Sequence, residues 1–470
     1  MTDSINPPLI TPPASPGSDG SVPRYVKQQL PPSGLFADQH WRVANGPFAL
    51  GADLAREIES LGRVLLKFYR AVNLLYRQSL AGRQPAWVAE WLDRGKPSEL
   101  LAWQRDPAFK NDLPRVIRPD FLLTESGLRV TELDSVPGGI GLTAWLNQTY
   151  SQAVTQAGAS KHVEAPAADH SSGMGILGGE EGMLRGFASI FGEAPRVHLV
   201  VSAESATYRP EMEWLAQRLG PERFAVRTTD FTAFEPGDAV YRFFELFDLA
   251  NVPNAIPIFQ EASAKRLRLT PPPKPIFEEK LLFALLWNRN LRGFWRQELG
   301  ESFLDRLLQL VPYTWVVDPA PLPPQGAIPE LNLTDWQQLK TLSQRERDLI
   351  LKVSGYSDQA WGARGVSLGS DLPAGDWAAA VDKALTGFAQ SPFVLQRYHK
   401  PRLVDSSYWD FNQAQVVPMP GRVRLCPYYF VAGDGDSGRA TLGGVLATIC
   451  PADKKIIHGM QDAILAPCSP

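Results

Sequence analysis

The chain has 470 residues, with 47 Lys and Arg against 50 Asp and Glu, which gives a formal net charge of −3. Hydrophobic residues make up 44% and aromatic residues 10%, so the composition excludes a chain that is disordered over most of its length. The length predicts two or three structural units. The near-neutral charge provides no field that would attract nucleic acid or an anionic membrane.

The sequence also limits the compartment and the chemistry of the cysteines. Cys426, Cys450 and Cys468 are too few and too irregularly spaced for a disulfide framework or a zinc site. No run of about 18 apolar residues predicts a transmembrane helix, and we find no signal peptide at the N-terminus. These features predict a cytoplasmic protein that binds neither nucleic acid nor membrane, and they leave its oligomeric state unknown.

The first third of the chain is predicted to be helical after an irregular start. Pro, Ser, Gly and Asp dominate residues 1–28, which predicts a disordered tail, with a docking segment for a partner as the alternative. Apolar residues then recur every three or four positions over 50–80, which predicts a long amphipathic helix. Shorter helices are predicted at 87–92 and 99–103.

A β-hairpin is predicted next. Two apolar segments, 116–123 and 128–133, flank the turn-forming residues 124–127. A Gly-rich turn at 136–141 and a helix at 142–157 follow. Residues 29–157 are therefore expected to combine helices with this hairpin in one unit.

The middle of the chain alternates between strand and helix patterns. Strands are predicted at 197–201, 224–227 and 240–244, and helices at 180–191 and 210–219. This alternation is typical of a Rossmann-like α/β unit with a parallel sheet, which we place at 158–272. The unit ends at three consecutive prolines, a stiff joint.

The last unit, 273–470, is predicted to be a mixture of helices and strands. Helices are expected at 278–287, 303–310 and 336–348. Strands are expected at 349–353, 393–396, 422–432 and 440–449. The fold class is therefore α/β, with α+β lobes after the parallel unit.

The hairpin carries a group of charged residues with a spacing of two. Arg118 and Asp120 share one face of the first strand, and Glu132 and Asp134 share one face of the second. If the strands pair, three carboxylates and one guanidinium converge, and such an acidic group is unfavourable without a cation. Oxygen ligands of this kind suit Mg²⁺. The alternative is a solvated face with ordinary salt bridges.

Two further segments have the residue types of a nucleotide site. Lys352 ends an apolar strand and precedes a Gly-rich loop whose backbone N–H groups could contact phosphates, although the spacing is not that of a P-loop. The alternative is a surface lysine before an ordinary loop. The apolar strand that continues into Gln396 and Arg397 could present backbone groups to an adenine, or it could be an edge strand. The glycine pattern at 173–178 fits dinucleotide binding only superficially, because no strand precedes it.

In this order the motifs resemble the circularly permuted ATP-grasp ligases, in particular the synthetase domain of glutathionylspermidine synthase. The resemblance covers the chain from about residue 114 to the C-terminus. Its most specific part is the pair Arg118-x-Asp120 and Glu132-x-Asp134, which matches the family's Arg-x-Asp and Glu-x-Asn. Asp134 departs from the family's Asn, which adds a negative charge but keeps a Mg²⁺ ligand. The segment 158–272 resembles the pre-ATP-grasp domain.

The resemblance implies a role for each matched residue. It implies that Asp120, Glu132 and Asp134 hold Mg²⁺, with two ions expected, and that Arg118 contacts the transferring phosphoryl group. Further residues implied to bind ATP are the phosphate lysines Lys280 and Lys352, the lid residues Gly362, Arg364 and Gly365, with Arg364 facing the phosphates, and the adenine-binding segment Leu395, Gln396, Arg397 and Tyr398.

The predicted activity is an ATP- and Mg²⁺-dependent ligation of a carboxylate to an amine, or to a thiol, through an acyl phosphate. The loop at 355–369 would close over the phosphates and exclude water. Two alternatives stay open: a nucleotide-binding scaffold without catalysis, and a kinase-like phosphotransferase on the same fold. The sequence does not identify the acid or the amine. The acceptor pocket is expected to include residues 135–141.

Overall fold

A computed structural model describes residues 19–31, 41–159, 175–323, 326–360, 364–457 and 461–470. Within these ranges the chain combines helices with four β-sheets. The α-helices are α1 (Ser21–Gln28), α2 (Ala52–Leu80), α3 (Ala86–Asp93), α4 (Ser98–Arg105), α5 (Ile140–Ala159), α6 (Gly182–Ser189), α7 (Arg209–Leu219), α8 (Ala255–Ser263), α9 (Leu281–Trp287), α10 (Arg292–Leu299), α11 (Glu301–Leu310) and α12 (Ala374–Gly387).

The strands vary widely in length. They are β1 (Arg42–Val43), β2 (Phe48–Ala49), β3 (Val116–Thr124), β4 (Gly127–Asp134), β5 (Val197–Val201), β6 (Phe224–Arg227), β7 (Ala239–Phe243), β8 (Arg268–Thr270), β9 (Thr314–Val316), β10 (Leu349–Val353), β11 (Val366–Leu368), β12 (Phe393–Arg397), β13 (Leu403–Val404), β14 (Ser407–Asp410), β15 (Gln415–Pro418), β16 (Gly421–Ala432), β17 (Arg439–Pro451) and β18 (Ile464–Ser469).

The largest sheet joins the N-terminal hairpin to the C-terminal strands. Its order is β1-β18-β17-β16-β3-β4, with β13 also pairing with β16 and β2 with β18. The antiparallel partner of β3 on its other side is therefore β16, whose sequence lies about 300 residues later. Apolar residues of α2, α5 and α6 share one core with this sheet. The predicted hairpin is thus present, and it is an integral part of the sheet.

Two smaller sheets complete the part of the fold that forms the site. Strands β11-β10-β12-β9 form an antiparallel sheet, whose core includes Leu351, Leu395 and Trp377 of α12. Strands β6-β5-β7-β8 form a parallel sheet, with α7 between β5 and β6 and α8 between β7 and β8. The last sheet is the short hairpin β14–β15.

The main apolar core draws residues from nearly the whole length of the chain, from Val22 to Cys468. It includes residues of the largest sheet, of the parallel sheet and of the small antiparallel sheet. Of the described helices, none is both long enough and apolar enough to cross a lipid bilayer. The three cysteines are buried and unpaired.

Two predictions on secondary structure were wrong. Residues 21–28, assigned to a disordered tail, form helix α1, because Val22 and Val26 lie one turn apart and are both fully buried. The polar composition around them concealed this short apolar stripe. The helix predicted at 336–348 is only a 3₁₀ helix at Trp336–Thr341, in which Trp336 and Leu339 are the buried residues.

Helix α1 provides a direct test of this correction. Val26→Asp should lower the free energy of unfolding by about 3 kcal/mol, because it removes a buried apolar side chain and places an unpaired carboxylate in the core. Gln28→Asp, on the exposed side of the same helix, should have little effect. Urea unfolding of both variants measures the difference. Equal stability of the two variants would contradict the packing of α1.

Candidate functional site

The main cavity lies where three sheets meet, and its volume is about 370 Å³. Strands β3 and β4 form one wall, β10 and β12 form a second, and the segment after β7 forms a third. The side chains from these walls that were singled out in the sequence are Arg118, Asp120, Glu132, Asp134, Lys280, Lys352, Gln396, Arg397 and Tyr398. The structure therefore brings most of the predicted site residues to one cleft.

The register of the hairpin places its charged residues opposite one another. Arg118 pairs with Asp134 across the strands, and Asp120 pairs with Glu132. Arg118 lies between two carboxylates, with Nε 2.9 Å from Asp120 Oδ1 and Nη2 3.0 Å from Asp134 Oδ2. The four side chains therefore converge on one face of the hairpin, as predicted. This convergence arises because antiparallel pairing puts cross-strand neighbours on the same face.

Asp120 is the most deeply buried member of this group, with 2% of its surface exposed. Its carboxylate faces Arg118 and also Arg424 of β16, whose Nη1 lies 3.2 Å from Oδ2. The Cys426 thiol donates to Oδ1 at 3.4 Å. Burial raises the pKa of Cys426 to about 12, and Asp120 contributes to the rise, so the thiol stays protonated as a donor. Asp120 thus serves mainly to orient two guanidinium groups.

Glu132 and Lys280 form the next ion pair in the cavity. Lys280 Nζ lies 3.2 Å from Glu132 Oε2 and also donates to the carbonyl of Ala360 at 3.1 Å. Burial alone would raise the pKa of Glu132, but Lys280, Arg118 and Lys352 outweigh it and lower the pKa to about 2. Glu132 is therefore an anion at every physiological pH, and its side chain keeps 35% of its surface exposed to the cavity.

Asp134 has a different environment from Glu132. Burial raises the pKa of Asp134 above its ordinary value and Glu132 adds to the rise, although Arg118 opposes it. Its Oδ1 accepts a hydrogen bond from Val136 N at 2.9 Å, and its side chain is 27% exposed. A cation beside Glu132 and Asp134 would relieve the repulsion between their charges.

The donor set decides whether Mg²⁺ fits this site. Within the described residues, no group of three acidic, His or Cys side chains is placed to hold one metal ion. Asp120 is paired with Arg118 and Arg424. The three-carboxylate set predicted from the sequence is therefore not assembled as one cage. Mg²⁺ is usually held by one or two carboxylates together with phosphate oxygens and water. Glu132 and Asp134, both open to the cavity, meet that requirement.

Lys352 lies on the opposite wall, in β10, and is buried. Its Nζ donates to Gln396 Oε1 at 2.9 Å and to the carbonyl of Thr131 at 3.2 Å. Burial lowers the pKa of Lys352 to about 8, and Lys280 contributes, although Glu132 opposes the shift. The two lysines, 72 positions apart in sequence, therefore share one electrostatic environment with Glu132.

The segment predicted to contact adenine divides between two faces of β12. Gln396, Arg397 and Tyr398 line the cavity, whereas the Leu395 side chain is fully buried in the core of the small antiparallel sheet. Alternation of side chains along a strand separates Gln396 from Leu395, whereas Arg397 and Tyr398 line the cavity where β12 ends. Leu395 can therefore contribute only backbone groups to a ligand.

Of the predicted lid residues, Arg364 and Gly365 lie in the described part of the chain, and neither lines the cavity. Gly362 lies outside the described residues. The carbonyl of Gly365 accepts a hydrogen bond from Val353 N at 3.3 Å, and a Cβ at this position would lie 2.6 Å from the carbonyl oxygen of Gln359, so a glycine is needed for backbone packing. Arg364 Nη1 lies 3.3 Å from Glu204 Oε1, on the loop after β5. Arg364 is thus held by a carboxylate of the parallel-sheet segment, and it does not line the cavity.

The Gly-rich turn at 136–141 is fixed by contacts from three sides. Arg118 Nη1 and the Tyr428 hydroxyl both donate to the carbonyl of Gly138, at 3.3 and 2.8 Å. Glu211 Oε1 accepts from Gly139 N at 2.7 Å. A Cβ at Gly138 would lie 2.2 Å from the Tyr208 ring, so this close approach requires glycine. The turn therefore forms a rigid end of the cavity.

Sequence reasoning missed several residues that line the cavity. Chief among them are Glu245, Glu278, Tyr356, His399 and Arg424. The charges of Glu278 and Asp134 both act on Glu245. Burial raises the pKa of Glu245 well above its ordinary value, with Glu278 and Asp134 adding to the rise. One signal could have found Glu245: it follows strand β7 of a parallel sheet, and ligands bind at the carboxyl ends of such strands.

Fold and site together define a mixed α/β protein with a charged cleft between three sheets. Among solved structures, it is similar to a glutathione synthetase-like effector from Globodera pallida in its apo form, with a TM-score of 0.55 and 11% identity, over 96% of this chain and 95% of that chain. At this identity the likeness shows a shared fold and no more.

The other comparisons add little. A protein from Methylobacillus flagellatus KT described as "Putative gamma-glutamylcysteine synthetase" matches at 11% identity, over 90% of this chain and 89% of that chain, with a TM-score of 0.37, too low to support an argument. No family model matches the sequence. No curated protein matches it either.

The pKa of Lys352 leads to a prediction on pH. If phosphates bind beside Lys352, the Kd for ADP should rise about tenfold between about pH 7 and pH 9, because the ammonium loses its proton as the pH passes about 8. Isothermal titration calorimetry across this range measures the change. Lys352→Arg stays charged and should give a flat profile. A flat profile for the unmodified protein would contradict the assignment.

Proposed function

We propose that this protein is an ATP- and Mg²⁺-dependent ligase that joins a carboxylate to an amine through an acyl phosphate. The observation that carries the proposal is the convergence of Lys280, Lys352, Glu132, Asp134 and Arg118 on one cavity. Two lysines beside paired carboxylates are the groups that phosphoryl transfer requires. The glutathione synthetase-like fold supports the same class of reaction.

The lysines and the segment 396–398 form the nucleotide end of the cavity. Lys280 and Lys352 both line the cavity and would neutralise phosphate oxygens there. Gln396, which bonds Lys352, ties the phosphate region to the wall where the adenine would lie. Leu395 would contribute its backbone there. This arrangement supports ATP as the phosphoryl donor.

Mg²⁺ would be held by Glu132 and Asp134 and by phosphate oxygens, with one or two ions in that space. When bound, Mg²⁺ supplies charge neutralisation at the phosphates. Glu132 stays ionised because of the surrounding cations, so it is a ligand over the whole physiological range. Asp120 would act indirectly, by fixing the guanidinium groups of Arg118 and Arg424.

Arg118 would stabilise the charge that develops on the transferring phosphoryl group. Its guanidinium is held in place from both sides by Asp120 and Asp134 and also donates to the carbonyl of Gly138. A fixed donor of this kind needs no reorganisation during the reaction. The acceptor carboxylate attacks the γ-phosphorus and ADP leaves, and the amine then attacks the acyl carbon and phosphate leaves.

The amine would approach from the side of Glu245 and Glu278. Both carboxyl groups line the cavity next to Asp134, and Phe243 and Tyr208 provide apolar surface beside them. Burial raises the pKa of Glu245, with Glu278 and Asp134 adding to the rise, so its deprotonated form would be a stronger base than an ordinary carboxylate for the proton that the amine loses on attack.

The proposal extends to the organisation of the chain. The carboxylate hairpin precedes both lysines in sequence but pairs with strand β16 near the C-terminus, as expected for a circularly permuted ATP-grasp core of the glutathionylspermidine synthase type. The parallel sheet would then belong to a Rossmann-like pre-ATP-grasp domain. The cytoplasm, where ATP is abundant, would be the site of action.

Release of ADP in the presence of a set of candidate acids and amines tests the function. ADP release should require both an acid and an amine, and Glu132→Gln should lower kcat about 100-fold, because the carboxylate that holds the metal is lost. Glu125→Gln, on the exposed turn of the same hairpin, is the matched control and should retain full activity.

The alternatives give distinct results in the same assay. ADP release with an acceptor alone, together with a stable phosphorylated product, would identify a kinase-like phosphotransferase. Binding of ATP without ADP release for any acceptor would identify a silent scaffold. Full activity of Glu132→Gln would contradict the assignment of the metal site.

A further inference from the structure

Behind the cavity wall lies a buried ion pair that the proposed reaction does not use. Lys96, in the loop between α3 and α4, has its Nζ 2.6 Å from Glu279 Oε1, and the two side chains are 1% and 2% exposed. Neither residue lines the cavity. A pair removed so fully from water is expensive to form, so its presence calls for an explanation beyond stability.

Glu279 lies between two residues that do line the cavity. Its backbone is extended, with φ −111° and ψ 125°. In an extended segment the side chains at alternate positions point the same way. Glu278 and Lys280 therefore face the cavity, whereas Glu279 points away from it, toward Lys96.

The same carboxylate also holds the end of the strand that carries Lys352. Its second oxygen accepts a hydrogen bond from the Ser354 hydroxyl. That hydroxyl accepts from Leu281 N at 2.9 Å, and the carbonyl of Ser354 accepts from Lys280 N at 2.9 Å. One buried group thus joins the Lys280 segment to the last residues of β10.

Close backbone packing adds to this connection. A Cβ at Gly355 would lie 2.4 Å from the carbonyl oxygen of Glu278, so the chain after β10 rests directly on the Lys280 segment. Tyr356, which lines the cavity, has its ring centre 5.9 Å from Lys96 Nζ. Lys96 therefore lies against the Lys280 segment, through Glu279, and against the chain that follows β10, through Tyr356.

We propose that Lys96 is a positioning residue: through Glu279 and Ser354 it fixes the distance between Lys280 and Lys352 and so sets the affinity of the cavity for nucleotide. This inference rests on the proposed function, because it takes the two lysines as phosphate ligands. Lys96 and Glu279 form a matched pair of buried opposite charges.

Binding of a non-hydrolysable ATP analogue with Mg²⁺, measured by calorimetry, tests the inference together with thermal unfolding. Lys96→Met should lower the Tm and raise the Kd about tenfold, because it leaves a buried carboxylate unpaired and releases the Lys280 segment. The double variant Lys96→Met with Glu279→Gln removes both charges. It should regain most of the Tm and still bind the analogue at least about fivefold more weakly than the unmodified protein.

Lys274→Met is the control for loss of a buried lysine. Lys274 is 2% exposed, but its Nζ donates to Asn73 Oδ1 and to the carbonyls of Lys110 and Asp112, away from the cavity. The Lys274→Met variant should therefore have a lower Tm than the unmodified protein and the same Kd for the ATP analogue. If the double variant binds the analogue as tightly as the unmodified protein, the positioning role is overturned while the proposed function stands. If the unmodified protein does not bind the analogue, both are overturned.

Discussion

The site depends on the pairing of Arg118 with carboxylates on both sides of it. The guanidinium lies between Asp120 and Asp134, and this bridge follows from the register of β3 against β4. A shift of one residue in that register would turn these side chains to the other face of the sheet. Strand β16 contributes Arg424 to the same group, so the C-terminal half of the chain helps to fix the N-terminal hairpin.

Charge balance explains why so many ionisable groups can share one cavity. Asp120, Glu132 and Asp134 each have a cationic group within 3.2 Å. The remaining imbalance appears as shifted pKa values. The pKa of Glu132 is lowered because three cations surround it, whereas the pKa of Glu245 is raised by burial, with Glu278 and Asp134 adding to the rise. Cationic and anionic groups therefore lie side by side in the cavity.

Backbone packing determines how the walls of the cavity approach one another. Gly138 and Gly355 both stand at points where a Cβ would collide with a neighbouring element. At Gly138 the neighbour is Tyr208 of the parallel-sheet segment, and at Gly355 it is the turn that carries Lys280. These two contacts, together with the buried pair of Lys96 and Glu279, make the site a product of three separate segments of the chain.

The sequence by itself determined the elements with strong local patterns. The hairpin, the strands that carry Lys352 and Gln396, and the grouping of Arg118, Asp120, Glu132 and Asp134 all follow from a period of two, which depends only on local geometry. Helix α1 escaped detection because two valines are too weak a local signal. Only the tertiary structure decided that Asp120 is occupied by Arg424, that Leu395 is buried, and that Lys96 pairs with Glu279 behind the cavity, because each depends on contacts between residues far apart in sequence.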